Sequence, residues 1–155
     1  MRYLVRHADA GDKRAWTGRD GDRPLSSAGM REAHGLVELL ATYPIGVIVS
    51  SPAVRCVQSV QPLAERRLLE VRVDGALGVD ADLDLAMTLL LGPSGDDVVL
   101  CTHGELIKPL LARLRDLGAP IGERPRAPKG SVWLLESANG SVARAAYLPP
   151  PPHLG

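Results

Sequence analysis

Two arginines and two histidines stand out in this 155-residue chain because each follows a short apolar run. Arg6-His7 comes directly after Tyr3-Leu4-Val5. Ser50-Ser51-Pro52 closes the run at 46–50, with Arg55 about one helical turn further on. Thr102-His103-Gly104-Glu105 follows the run at 97–101. If these runs are parallel strands, all four residues emerge beyond strand carboxyl ends, where open α/β sheets bind their ligands. The set suits a phosphoryl group. A phosphate monoester is close to dianionic at neutral pH, since its second pKa is about 6, and two guanidinium forks can each grip its oxygens bidentately. A histidine with an unperturbed pKa of about 6.5 keeps a free ring nitrogen that can attack phosphorus. The other histidine can hold the transferring oxygens as charge spreads over them. This chemistry requires no metal and no cofactor. Taken singly, each residue has an ordinary explanation: a salt-bridged rim pair, a turn histidine, an arginine snorkelling from a helix. Their coincidence at three equivalent strand ends carries the reading. His34, in mid-helix, and His153, in the tail, read as structural or solvated.

The elements that must position these residues alternate as βαβ units. Strands are expected at 3–5, 46–50, 68–73, 97–101, 131–136 and 142–147. Ser26 or Ser27 caps a helix running to about Thr42. Ser51-Pro52 opens a second helix with Pro at its first position, reaching about Arg66, and Pro62 predicts a kink or early break. Helical segments are also expected at 80–91 and 105–117, with a turn at Gly92-Pro93-Ser94-Gly95. Asn139-Gly140 suits a type I′ hairpin turn. Residues 8–24 hold three glycines, a proline and eight charges, and a loop of that length in a compact domain is usually functional. The expected fold is a three-layer α/β/α sandwich around a mostly parallel sheet. One domain spans 1–148, and a proline-rich tail follows at 149–155, disordered or extended along the surface.

Composition narrows the partners. Eighteen basic residues balance eighteen acidic ones, so the formal charge is zero and the pI is near 6.9. A nucleic-acid or membrane-surface protein would lean on a basic excess. Aromatic residues are 3% of the chain and Phe is absent, which leaves little for stacking single-stranded bases. Cys56 and Cys101 sit in apolar runs without CxxC spacing and read as reduced core residues. No apolar run approaches the ~20 residues of a membrane span, and the start of the chain carries no signal-peptide pattern. A cytoplasmic protein is expected.

Four ordered motifs between residues 2 and about 117 resemble the histidine phosphatase superfamily, with its phosphoglycerate-mutase-like fold. They are Leu4-Val5-Arg6-His7-Ala8, with Ala8 where the family has Gly, then Asp22-Arg23-Pro24-Leu25 leading to Gly29. The third runs from Ser51 through Arg55, Gln58 and Ser59, and the fourth is His103-Gly104. The compact length is similar to the SixA-type phosphohistidine phosphatase branch. The Arg-His-Ala-Asp-Ala opening, the Trp16 loop and Lys129-Gly130-Ser131-Val132-Trp133 are most similar to the histidine-phosphatase domain fused behind Nudix hydrolases in some actinobacterial proteins. The resemblance implies His7 as a nucleophile forming a phosphohistidine, and Arg6, Arg55 and His103 as the phosphate pocket. It also implies a general acid after the third strand, where this chain offers Asp80 and Asp82. Asp80 is the catalytic candidate. Glu105 beside His103 is another possible donor, and Asp residues at a helix start are commonly caps.

The implied activity is that of a metal-independent phosphatase acting on a phosphomonoester or phosphoramidate. Its partner would be a phosphorylated small molecule or nucleotide, or a phosphohistidine protein. Two rivals stand beside it: a phospho-ligand-binding or regulatory module with little turnover, and mutase-type phosphotransfer. Lys13, Trp16 and Arg19 in the 8–24 loop are candidate substrate-loop residues, against the plain alternative of a self-neutralised solvated loop.

Overall fold

The computed structural model describes residues 1–93 and 95–152. Ser94 of the expected turn and His153 of the tail lie outside the described residues. Six strands form one sheet: β1 (Arg2–Arg6), β2 (Val47–Ser50), β3 (Val71–Val73), β4 (Val98–Thr102), β5 (Val132–Ala138) and β6 (Ser141–Leu148). Their order is β3-β2-β4-β1-β5-β6. The first four run parallel, while β5 pairs antiparallel with both β1 and β6. Alternating side chains feed two cores. Tyr3, Val5, Ile48, Val99 and Cys101 face α1 (Ser27–Leu39) and α2 (Val54–Arg67). Leu4, Val49, Val98 and Leu100 face α3 (Leu83–Leu91) and α4 (Gly104–Asp116). The result is a helix–sheet–helix sandwich.

Local chemistry explains most boundaries. The Ser26 side chain accepts from the Gly29 N–H and caps α1. Asn139 (φ 55°) and Gly140 (φ 79°) both occupy the left-handed region that a type I′ turn requires. The tail does not drift free over its described part: Pro151 is buried and lies so close to Gly35 that a Cβ there would come within 2.6 Å of it.

Three expectations need correction. Pro52 precedes α2 instead of opening it, because Ala53 is the N-cap and the helix begins at Val54. Pro62 does not end α2, which continues to Arg67. Its missing N–H forfeits one bond to the Gln58 carbonyl, and the burial of Val60, Leu63 and Ala64 beside it outweighs that loss. The third strand shrinks to Val71–Val73, since Leu68 is the left-handed cap of α2 (φ 57°) and is 93% exposed. An edge strand with one neighbour had little to extend it.

Candidate active site

His7 leaves the end of β1 with its backbone N–H on the Thr102 carbonyl at 3.1 Å, so the first and fourth strand ends are tied together. Its ring is buried, and Nδ1 lies 2.7 Å from the Ala8 carbonyl oxygen. A carbonyl only accepts, which assigns the proton to Nδ1 and leaves the Nε2 lone pair free. Burial first, then the His103 ring and the charges of Arg55 and Arg6, together lower the pKa from 6.5 to about 3 against the Ala8 hydrogen bond that raises it. The imidazole is therefore neutral and nucleophilic throughout the physiological range.

The third motif of the sequence holds this turn in place. Ser59 on α2 accepts the Ala8 N–H at 2.8 Å and donates to the Arg55 carbonyl at 2.6 Å. Gln58 accepts the Leu25 N–H at 2.8 Å and so docks the Arg-Pro-Leu segment on the same helix. Gly29, which ends that segment's motif, packs against the backbone of Asp9 where a Cβ would overlap the carbonyl oxygen. Only a glycine allows α1 to approach the His7 loop this closely.

Arg6 and Arg55 reach the site from different elements. The Arg6 guanidinium donates through Nη1 to the Ala127 carbonyl at 2.8 Å and lies over Gly104. Arg55 is 3% exposed. Both keep a buried Nε with no hydrogen-bond partner, as does Arg23. The two guanidinium groups line one cavity with the neutral His7, a cationic setting that suits an anion.

His103 is fully buried at the start of α4. Its Nε2 lies 2.8 Å from Ser51 Oγ, and its Nδ1 lies 3.3 Å from Arg55 Nη2. Arginine can only donate, so Nδ1 accepts and the Nε2–H is given to Ser51. The two imidazoles of His7 and His103 stand 5.4 Å apart edge to face. Cys56 and Cys101 are free buried thiols, as their apolar runs suggest, and Cys56 Sγ approaches His103 Nε2 at 3.6 Å.

The candidate acids separate clearly. Asp82 caps α3 by accepting the Asp84 N–H at 2.7 Å, the ordinary role of an Asp at a helix start. Asp80 is exposed and lines a 560 Å³ cleft that His103, Ser51 and Arg55 also line. Glu105 lines the adjoining 320 Å³ cavity that holds His7. The Thr102 hydroxyl donates to the Leu77 carbonyl at 2.6 Å and pins the segment leading to Asp80 beside the strand ends.

In the 8–24 loop, Lys13 lines both cavities and Arg19 lines the cleft. Trp16 lines neither. Its indole N–H donates to the Arg19 carbonyl at 2.8 Å and its ring packs on Gly18, so it braces the loop itself. Sequence reading missed Asp20, whose carbonyl and carboxylate both meet Arg55, and missed Arg23 and Lys129 as walls of the His7 cavity. The Asp-x-x-Arg-Pro-Leu spacing held the signal for Asp20, but a loop acid has no periodicity to betray its direction. Among the described residues no three His, Cys, Asp or Glu side chains gather into a metal-sized group.

Residues 2–78 match the profile of the histidine phosphatase superfamily (branch 1). An 8-oxo-(d)GTP phosphatase of Mycolicibacterium smegmatis is 31% identical over 153 residues, covering 96% of this chain; the chain spans about half (48%) of that relative's length. The putative phosphohistidine phosphatase SixA from Agrobacterium tumefaciens superposes with a TM-score of 0.74 at 25% identity, covering 96% of this chain and 97% of its own. The protein histidine phosphatase SixA complexed with tungstate gives 0.75 at 20% identity, covering 95% and 93%, a likeness of fold.

Proposed function

The chain belongs to the histidine phosphatase superfamily, and from that premise we propose that it is a phosphatase working through a phosphohistidine on His7. The single observation that carries this is the His7 ring: buried, neutral, fixed by Nδ1–H on the Ala8 carbonyl, with Nε2 free in a cavity that Arg6 and Arg55 also line. Arg6 and Arg55 hold the phosphoryl oxygens, and His103, on its Ser51 support, closes the pocket. Nε2 forms a bond to phosphorus as the bond to the leaving oxygen or nitrogen breaks, and the leaving atom takes a proton from Asp80 across the cleft. Water then attacks the phosphohistidine with the same carboxylate as base. Orthophosphate departs and His7 is restored neutral.

The substrate is a phosphomonoester, a nucleotide or a phosphohistidine protein. Similarity to a nucleotide phosphatase on one side and SixA-type proteins on the other supports this range. The second reading, a phospho-ligand-binding module, draws on the hold that Asp20 keeps on Arg55.

Turnover of p-nitrophenyl phosphate in excess EDTA, with wild type beside His7→Ala, tests the proposal. Metal-free activity that vanishes in the variant, with labelled phosphate trapped on His7 by rapid quench, is the expected result. A His7→Ala protein as active as wild type would overturn it, and phosphate binding without turnover of any phosphomonoester or phosphohistidine substrate would favour the binding module.

A further inference from the structure

We propose that the mouth of the His7 cavity carries a second anion subsite, formed by Lys13 and Lys129, which holds the penultimate phosphoryl group of a phosphoanhydride-ended substrate. This deepens the phosphatase reading and rests on it for the position of the terminal phosphoryl group.

A monophosphate needs Arg6 and Arg55, yet the 320 Å³ cavity around His7 is also lined by Lys13, Arg23 and Lys129. Arg23 is spoken for: it is buried, donates to the Ala10 carbonyl at 2.7 Å and lies 3.5 Å from Asp20. The two lysines are different. Lys13 is exposed; its carbonyl accepts the Trp16 N–H at 3.4 Å, and the charge of its ammonium is felt by the Asp20 carboxylate. The short 3-10 turn that presents it is fixed by Asp12, whose side chain accepts the Arg14 N–H at 2.9 Å.

Lys129 comes from the opposite wall. Its neighbour Gly130 donates its N–H to the Arg6 and His7 carbonyls, both at 3.1 Å, so the base of Lys129 is locked to the backbone of the nucleophile. Its ammonium contacts Asp9 at a loose 3.4 Å. The other oxygen of Asp9, Oδ2, accepts from the Ser26 hydroxyl at 2.6 Å and from the Gly11 N–H at 3.3 Å. Oδ1, which Lys129 touches, belongs to a side chain about a third exposed, so water can replace the ammonium there when Lys129 turns to a ligand.

Five cationic side chains, Arg6, Lys13, Arg23, Arg55 and Lys129, line this cavity against the carboxylates of Asp12 and Glu105, while Asp9 pairs with Lys129 and Asp20 with Arg55, so the mouth favours an anion. Lys13 also lines the adjoining 560 Å³ cleft and marks the route along which the rest of the substrate leaves, past Arg19 and Val79. A terminal phosphoryl group on His7 would place the next one between the two ammonium groups, a charge-assisted contact that a monoester cannot make.

Calorimetric binding of pyrophosphate and orthophosphate in EDTA tests this with wild type, the Lys13→Gln, Lys129→Gln double variant, and Lys108→Gln, which removes an exposed lysine on α4 that lines neither cavity. Wild type should bind pyrophosphate about tenfold or more tighter than orthophosphate, the worth of one such contact. That ratio should fall toward one in the double variant and persist in Lys108→Gln, with all three melting alike. An unchanged ratio in the double variant, equal affinities in wild type, or an equal loss in Lys108→Gln each overturns the subsite. A lysine-dependent ratio in a protein that turns over no phosphate compound would uphold the subsite and overturn the phosphatase.

Discussion

Arg55 and Asp20 meet at two points: Nη1 donates to the Asp20 main-chain carbonyl at 2.8 Å and Nη2 to its carboxylate at 2.9 Å. The loop thus presents to the arginine the same pair of acceptors that a phosphate would. Burial alone would raise the Asp20 pKa, but the charge and hydrogen bond of Arg55, with help from Arg23 and Lys13, hold it below the usual range. At neutral pH the carboxylate competes with an incoming dianion. Asp20→Asn keeps the carbonyl contact and removes the charge. It should tighten competitive inhibition by orthophosphate several-fold, on the order of 1 kcal/mol for a partly exposed charge. Weaker inhibition would instead mark Asp20 as the residue that orients Arg55.

The His7 environment has a thermodynamic consequence of defined sign. Its folded pKa lies at about 3, below the unfolded value of 6.5. The unfolded chain therefore binds a proton that the folded one refuses, and stability falls as pH drops below about 6.5 toward 3. Between pH 7 and pH 5 this single group should cost about 2 kcal/mol. Urea titrations of wild type and His7→Asn at those two pH values should show a markedly smaller loss in the variant. Equal losses would mean that the ring titrates normally in the folded protein.

How much of this was legible in the sequence depends on the kind of signal. Strand ends and their delivered residues were readable because Tyr3-Leu4-Val5, 46–50 and 97–101 are short apolar runs, and register did not matter for where they end. The parallel sheet and the two helix layers followed from alternation. Pro62 misled because a local rule about helix interiors ignores the three buried neighbours that hold α2 together. The 8–24 loop was legible as a candidate substrate loop, and of its three named residues Lys13 and Arg19 line the cavities while Trp16 does not; Asp20, which also lines the cleft, went unread. Charges in irregular backbone carry no period from which direction can be read. The likeness at residues 129–133 drew attention to the segment but did not indicate that Lys129 would border His7.

Gly104 links the fourth motif to the first. A Cβ at this position would stand 2.7 Å from the Arg6 guanidinium carbon and 3.0 Å from its Nε. Arg6 cannot simply swing aside, since its Nη1 is bonded to the Ala127 carbonyl. Gly104→Ala should displace the guanidinium from the phosphate pocket and lower kcat/KM by about 10- to 100-fold, the range of a lost charge-assisted contact. The melting temperature should move by only a few degrees, because alanine favours the helix that begins here. Steady-state kinetics beside a thermal melt separate the two effects, and full activity in the variant would show that Arg6 is not needed where it lies.

Ser59 is buried and bonded on both sides, to the Ala8 N–H and to the Arg55 carbonyl, so it couples the nucleophile's turn to the helix carrying the phosphate-binding arginine. Removing its hydroxyl leaves the Ala8 N–H buried without a partner, at a cost of about 1–3 kcal/mol. The same change frees the carbonyl of Ala8 to drift, and with it the acceptor that fixes the His7 tautomer. Ser59→Ala should therefore lose both stability and kcat, the latter even at temperatures where the variant is fully folded. Ser59→Thr restores the hydroxyl and should recover the rate. A variant that is less stable but turns over at the wild-type rate would confine Ser59 to the fold.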